Sequence, residues 1–267
     1  MQQIVSKFLA ASAAAAALMP AAVAAQDADE LARQLANPIA NLYSLPFQLN
    51  YDEGYGADGE GSRYTLNIQP VIPISLTDDW NLVSRTIIPA ISQTDVVPGS
   101  TQKGYGDIVQ SFFFSPKEPT AGGLIWGVGP VFLLPTGSEE FSADQFGAGL
   151  TAVALKQAGP WTFGSLINHI WDVGGEDDGT DIDTTFFQPF ATYGFSGGWS
   201  ATLNSELSYD WISEQASVPI NFNVAKVTTI GGTPVSIGAG VRYWADSPEN
   251  GPDGWGARFT VTFMYPK

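Results

Sequence analysis

The sequence predicts an all-β chain: an antiparallel transmembrane β-barrel of about twelve strands, with a short N-terminal helical segment before it. Three observations predict this. Strand-length stretches recur in which every second residue is apolar. The joins between them alternate between short turns and longer, acidic loops. The chain also begins like an exported protein and contains no cysteine.

The beginning reads MQQIVSKFLAASAAAAALMPAAVAAQDADE. Lys7 gives a positive start, a small apolar stretch runs from Phe8 to Leu18, and Val23-Ala24-Ala25 suits a signal peptidase. Residues 1–25 are expected to be a secretory signal, which leaves Gln26–Lys267. Only 14% of residues are charged, against about 25% in ordinary globular chains. With 11 basic and 27 acidic residues, a net charge of −16 and no basic cluster, the composition excludes a nucleic-acid partner. Without cysteine, the fold must close without disulfides, and thiol catalysis is excluded. No run of about eighteen apolar residues follows the signal, so no transmembrane helix is expected.

After the signal comes DADELARQLANPIANLYSL. Leu31, Leu35, Ile39 and Leu42 recur at helical spacing, Asp27 or Asp29 suits the helix start, and Pro38 kinks or ends its first part. Residues 26–45 are expected to form a helical arm, and three placements stay open: a plug inside the lumen, a pad under its mouth, or a loose arm.

The barrel is expected over 46–267, with strands near 46–51, 62–76, 80–92, 104–115, 123–134, 147–157, 161–173, 182–195, 199–212, 217–229, 233–246 and 255–265. The alternation is clearest in three of them. YTLNIQPVIPISL sets Tyr64, Leu66, Ile68, Ile72 and Ile74 against Thr65, Asn67, Gln69 and Ser75. SATLNSELSYDW sets Leu203, Leu207, Tyr209 and Trp211 against Thr202, Asn204, Glu206, Ser208 and Asp210. WGARFTVTFMY sets Trp255, Phe259, Val261 and Phe263 against Arg258, Thr260 and Thr262. Pro70, Pro73, Pro89 and Pro130 fall inside strands and count against the scheme, because each removes a ladder donor.

The short joins are TDD, PKEPTAG, AGP, SGG and GGT; the long ones include DEGYGADGEG, QTDVVPGSTQK, PTGSEEFSADQ and SPENGPDGWG. Short turns on one rim and long loops on the other are the pattern of an outer-membrane barrel. An even strand count then puts both termini at the short-turn rim, the periplasmic side. Trp80, Trp161 and Trp199 each open a strand just after a short turn, and Trp211 and Tyr243 lie towards the other rim. Both sets suit a membrane–water interface, where an indole or phenol finds an apolar body and a polar edge satisfied together.

The uncharged stretch GLIWGVGPVFLL, residues 123–134, fits the same scheme. About ten tilted residues cross the hydrocarbon. Trp126, Val128, Pro130, Phe132 and Leu134 then face lipid, while Ile125, Gly127, Gly129, Val131 and Leu133 face inward.

LANPIANLYSLPFQLNYDEGYG, LNIQPVIPISLTDDWNLVSRTIIPAISQ, LIWGVGPVFLLPT, ALKQAGPW and the ending FMYPK together resemble one family. It is the outer-membrane barrel transporters grouped as the "MetA-pathway of phenol degradation" family, some of whose members carry the misleading label neuromedin U. The resemblance covers most of the chain after the signal. It implies a barrel in the outer membrane of a Gram-negative bacterium that passes small solutes, with a weaker link to hydrophobic or aromatic compounds. It supplies no catalytic motif.

Alternation points Arg63, Arg85, Arg242 and Arg258 inward, with Glu206 and Asp210 facing them and Lys156 also assigned to the lumen. Two readings stand. The arginines set a field across a water-filled channel, or they pair with carboxylates such as Asp52, Glu53, Asp246 and Asp253 and close it. The function expected is passive diffusion of small solutes through a charged lumen. The alternatives are a non-conducting structural barrel and a barrel lipid hydrolase.

The hydrolase reading is poorly supplied. His169 is the one histidine, Ser165 on its face lies about 13 Å away along an extended strand, and Asp172 points the other way. No cofactor or metal is expected; the acidic run GGEDDGTDID, residues 174–183, lacks EF-hand spacing. The partners expected are outer-membrane lipids and an unidentified solute, with the oligomeric state open.

Overall fold

The computed structural model describes residues 28–176 and 179–266. The expected signal and Asp27 lie outside these residues. A helix, α1, covers 28–35. Twelve strands follow: β1 (Tyr43–Tyr55), β2 (Gly61–Ile68, resuming as Val71–Ser75), β3 (Trp80–Thr94), β4 (Thr101–Tyr105, resuming as Ile108–Pro116), β5 (Leu124–Leu134), β6 (Gln145–Ala158), β7 (Trp161–Gly175), β8 (Asp183–Gly194), β9 (Trp199–Ser205, resuming as Leu207–Asp210), β10 (Gln215–Ile230), β11 (Thr233–Asp246) and β12 (Gly254–Tyr265).

Each strand pairs antiparallel with its neighbours in sequence, and β12 pairs back onto β1, from Tyr43 opposite Tyr265 to Tyr51 opposite Ala257. The ring is therefore closed and leaves no edge. The expected all-β barrel of twelve strands is what the chain forms. No described helix is long and apolar enough to cross a membrane.

The alternation sorts the two faces as its period requires. Leu150 is 68% exposed and Trp255 62%, while Val131 is 0% and Arg258 6%. Three of the four prolines sit where the ladder breaks or bends, while Pro73 pairs with Val83 inside the resumed part of β2. Pro70 occupies the interruption of β2, and Pro89 faces the interruption of β4, where its carbonyl accepts from Gly106 N at 2.9 Å. Pro130 lies where the pairing of β4 with β5 skips from Ser111–Val131 to Phe114–Val128. Glycine permits the closest strand approach: a Cβ at Gly149 would overlap the carbonyl of His169 on β7.

The inside of the ring is divided, and this differs from the wetter interior that the alternation predicts. Towards β3–β8 it is a packed apolar core: Val83, Phe113, Val153, Leu155 and Leu166 form one buried cluster with Ile39, and Val131, Ile170 and Ile182 form another. Towards β9–β12, β1 and β2 it is polar, with Asn50, Asp52, Asn221, Arg242 and Arg258 buried.

The arm combines two of the three placements: its helix covers the short-turn mouth, and Ile39 after it enters the interior. Ala32 and Leu42 pack on Val227 and Met264, with Leu31 and Leu35 against them. Helical geometry stops at residue 35. Asn37 and the proline after it turn the chain, Ile39 N donating to Asn37 Oδ1 at 3.0 Å. Ile39 then enters the cluster of Val83 and Phe113. Gly127 makes room for it, since a Cβ there would stand 3.3 Å from Ile39 Cδ1. Asp29 does not cap the helix start. It lies inside the first turn, and its Oδ1 accepts from Gly198 N, in the turn before β9, at 2.6 Å. Gln157 Nε2, at the end of β6, holds the Arg33 carbonyl at 2.9 Å.

A charge on the exposed apolar belt tests the membrane-spanning geometry. Leu150→Arg should destabilise the barrel in bilayers by about 2–4 kcal/mol, measured by urea unfolding in lipid vesicles. A change near zero would mean that this face does not meet hydrocarbon.

Candidate functional site: the lumen charges

The polar half of the interior centres on Glu206, which stands in the break of β9. Arg258 on β12 grips it with both terminal nitrogens: Nη1 to Oε1 is 2.8 Å and Nη2 to Oε2 is 2.7 Å. The third donor, Arg258 Nε, reaches Asn50 Oδ1 on β1 at 2.8 Å. This two-pronged contact uses the planar fork that arginine has and lysine lacks. Arg242 on β11 lies beside it, Nη1 at 4.0 Å from Glu206 Oε2 and Nε at 3.1 Å from Asp52 Oδ1. Trp244 Nε1 donates to that same Asp52 oxygen at 2.9 Å, and the Arg242 guanidinium stands 5.0 Å above the Trp244 ring. Glu206 also attracts Arg85, whose strand is opposite β9 in the ring of twelve.

The remaining arginines rest on amides. Arg63 Nε donates to Gln93 Oε1 at 2.8 Å, and its guanidinium covers the Tyr55 ring at 4.5 Å. Gln93 in turn donates to Gln102 Oε1 at 2.6 Å. Arg85 Nη2 donates to Gln69 Oε1 at 3.0 Å. Gln69 stands at the interruption of β2 and is buried, in phase with Arg63, Thr65 and Asn67. Four guanidiniums thus face two carboxylates, Asp52 and Glu206.

Arg63, Arg85, Glu206, Arg242 and Arg258 all lie within this set. Two assignments differ. Lys156 is exposed on the outer face with Leu150, because Thr151, Val153 and Leu155 take the inner positions of β6. Near the short-turn end of its strand, its long stem lets the ammonium reach the interface. Asp210 lies on the inner face but bends to the rim. Its Oδ1 accepts from Ile212 N at 3.0 Å and its Oδ2 from Ser213 Oγ at 2.7 Å, the local bonding that short carboxylates favour in turns. Among the carboxylates considered as partners, only Asp52 is used; Glu53, Asp246 and Asp253 make no ion pair among the described residues. Asn50, Gln93 and Trp244 belong to the site and carry no signal without the strand register.

At the short-turn end, the arm and the wall border a half-open cavity of about 290 Å³. Amides and hydroxyls line much of it, and Arg85 is its one charged residue. No group of three His, Cys, Asp or Glu suited to a metal exists among the described residues. Asp177 and Asp178 of the acidic run lie outside them.

The aromatic residues named for the interface are exposed: Trp80, Trp161, Trp199, Trp211 and Tyr243. Trp80 meets Trp126 edge-on at 5.9 Å, and Tyr243 meets Trp255 at 5.0 Å. His169 faces outward, opposite Leu150. Its Nδ1 is 2.7 Å from Thr185 Oγ1, its Nε2 is 3.0 Å from Asp183, and its ring lies 4.1 Å from Trp171. Trp211 Nε1 donates to the same Thr185 oxygen at 2.8 Å. Acyl transfer needs a nucleophile hydrogen-bonded to a base that a third group orients, together with free N–H donors aimed at the oxyanion. Asp183, His169 and Thr185 stand in that order within contact, while the strand that carries Thr185 is engaged in ladders on both sides. This geometry ties two exposed tryptophans to the wall.

No family model and no curated protein matches the chain. Solved structures do. The COG4313 outer membrane channel from Pseudomonas putida F1 superposes with a TM-score of 0.66 at 14% identity, covering 84% of this chain and 94% of the channel. The outer membrane phospholipase dimer of Salmonella typhi with bound calcium gives 0.51 at 13%, over 86% of this chain and 96% of the phospholipase. Phospholipase A of the Escherichia coli outer membrane gives 0.50 at 13%, over 84% and 98%. At these identities the likeness is one of fold, and that fold is the outer-membrane barrel.

Removing Arg258 takes away both short bonds to the Glu206 carboxylate and leaves it Arg242 at 4.0 Å and the longer-range attraction of Arg85. Arg258→Ala should therefore lower stability by about 3–5 kcal/mol, and the apolar pair Arg258→Met with Glu206→Met should restore much of it. Urea midpoints of the three proteins in one detergent decide this. Equal midpoints for the wild type and Arg258→Ala would remove the pair from the account.

Proposed function

We propose that the chain is an outer-membrane channel for small solutes, entered through the long-loop rim and capped at the short-turn rim by the arm. One observation carries the reading: a closed ring, apolar outside, surrounds four inward arginines that outnumber their carboxylates, and a cavity lined in part by amides and hydroxyls. A protein that needed only a stable barrel gains little from such charges, since apolar side chains of equal volume stabilise an interior as well or better. The fold shared with the Pseudomonas putida channel supports the same reading. Residues 1–25 are then the export signal, 26–45 the arm and 46–267 the barrel, with both termini in the periplasm. Trp80, Trp161 and Trp199 mark the inner interface, and Trp211 and Tyr243 the outer. The finer claim, passage of hydrophobic or aromatic compounds, rests on the family resemblance and is tested by uptake in cells with and without the gene.

The Arg258–Glu206 clasp and the seated arm favour a second reading, a non-conducting structural barrel. Planar bilayers separate the two. Purified full-length protein should give discrete conductance steps, and Asp29→Ala, which frees Gly198 N from the arm, should raise the open fraction several-fold. If neither protein conducts, the channel reading is lost to the structural one.

A further inference from the structure

The cavity under the arm has the chemistry of a binding site for one kind of solute. Its volume of about 290 Å³ leaves room for a small molecule. No carboxylate lines it, and Arg85 is its one charge. Arg85 is also incompletely used. Its Nη2 donates to Gln69, and no described carboxylate forms an ion pair with it. Glu206, which attracts it, is already clasped by Arg258 through both oxygens. A half-buried guanidinium without an ion pair of its own favours an anion that can replace lost water with two parallel hydrogen bonds, and a carboxylate has that shape.

Apolar groups also line the cavity: Leu35 and Pro38 of the arm and Val71 and Phe190 of the wall. Val71 is the ladder partner of Arg85, so apolar lining begins beside the guanidinium. Phe190 and Val71 are themselves packed on the apolar core and so are held in place. Amides and hydroxyls, including Gln188 and Asn204, complete the lining. One cationic fork, one fixed apolar wall and room for a small molecule define the complement of an organic anion.

We propose that this cavity binds small monocarboxylates with an apolar body, the carboxylate on Arg85 and the body against Phe190 and Val71. The proposal names the passenger class of the channel reading and rests on it for the route, but binding itself needs no conduction.

The probe is 4-fluorobenzoate, followed by 19F NMR line width against purified full-length protein in detergent. 4-Fluorobenzyl alcohol serves as the uncharged control, and empty micelles as the blank. Saturable broadening by the acid beyond the blank is expected, with none by the alcohol. Arg85→Gln should weaken binding tenfold or more, the scale of one charge-assisted pair. Arg85→Lys, which keeps the charge and loses the fork, should fall between, and it serves if the glutamine variant does not fold. Phe190→Ala should weaken 4-fluorobenzoate binding but leave acetate competition unchanged. No saturable broadening in the wild type, or equal affinity in both Arg85 variants, overturns the proposal. Arg85-dependent binding in a protein that never conducts keeps the site and sinks the channel; conduction without binding does the reverse.

Discussion

The pairing of the first strand with the last is the constraint on which the rest depends. In hydrocarbon no water satisfies a free N–H or carbonyl, so a sheet survives there only if it has no edge. Tyr43–Tyr51 and Ala257–Tyr265 supply that seam. It also brings Asn50 against Arg258 and Asp52 near Arg242, residues about two hundred positions apart in the chain. The polar half of the lumen exists only because the ring closes.

Closure fixes the circumference but not what fills it. Twelve strands enclose more space than their own side chains fill evenly, and the chain solves this asymmetrically. One side is packed with branched and aromatic side chains, and Ile39 from the arm completes that packing. Burial of one such side chain contributes about 1.5–3 kcal/mol, so the arm is held by apolar contact as well as by its bonds to Gly198 and Gln157. The other side keeps its charges and pairs some of them.

The strands and rims were legible in the sequence because each depends on local spacing. Period two shows in Leu203 against Asn204, and turn length shows in TDD against DEGYGADGEG. Lys156 was misplaced because β6 runs GAGLTAVALKQA, with small or apolar residues on both faces and Val153 and Leu155 inside. Alternation carries no contrast there, and an apolar interior inverts the usual rule. Asp210 keeps the inner face that alternation gives it, but its carboxylate is taken up by Ile212 N and Ser213 Oγ at the rim, a local option that face assignment ignores. The inward arginines could be found by phase alone. Their partners Asn50, Gln93 and Trp244, and the Thr185–His169 contact, are relations between strands that the register sets and a single sequence does not show.

The lopsided interior has a mechanical consequence. The β3–β8 side behaves as a solid girder, because close-packed side chains there resist displacement. Widening must therefore come from the arc of β9 through β2, where polar groups can exchange partners without leaving a void. On the channel reading proposed above, a solute would travel off-centre, along the polar wall.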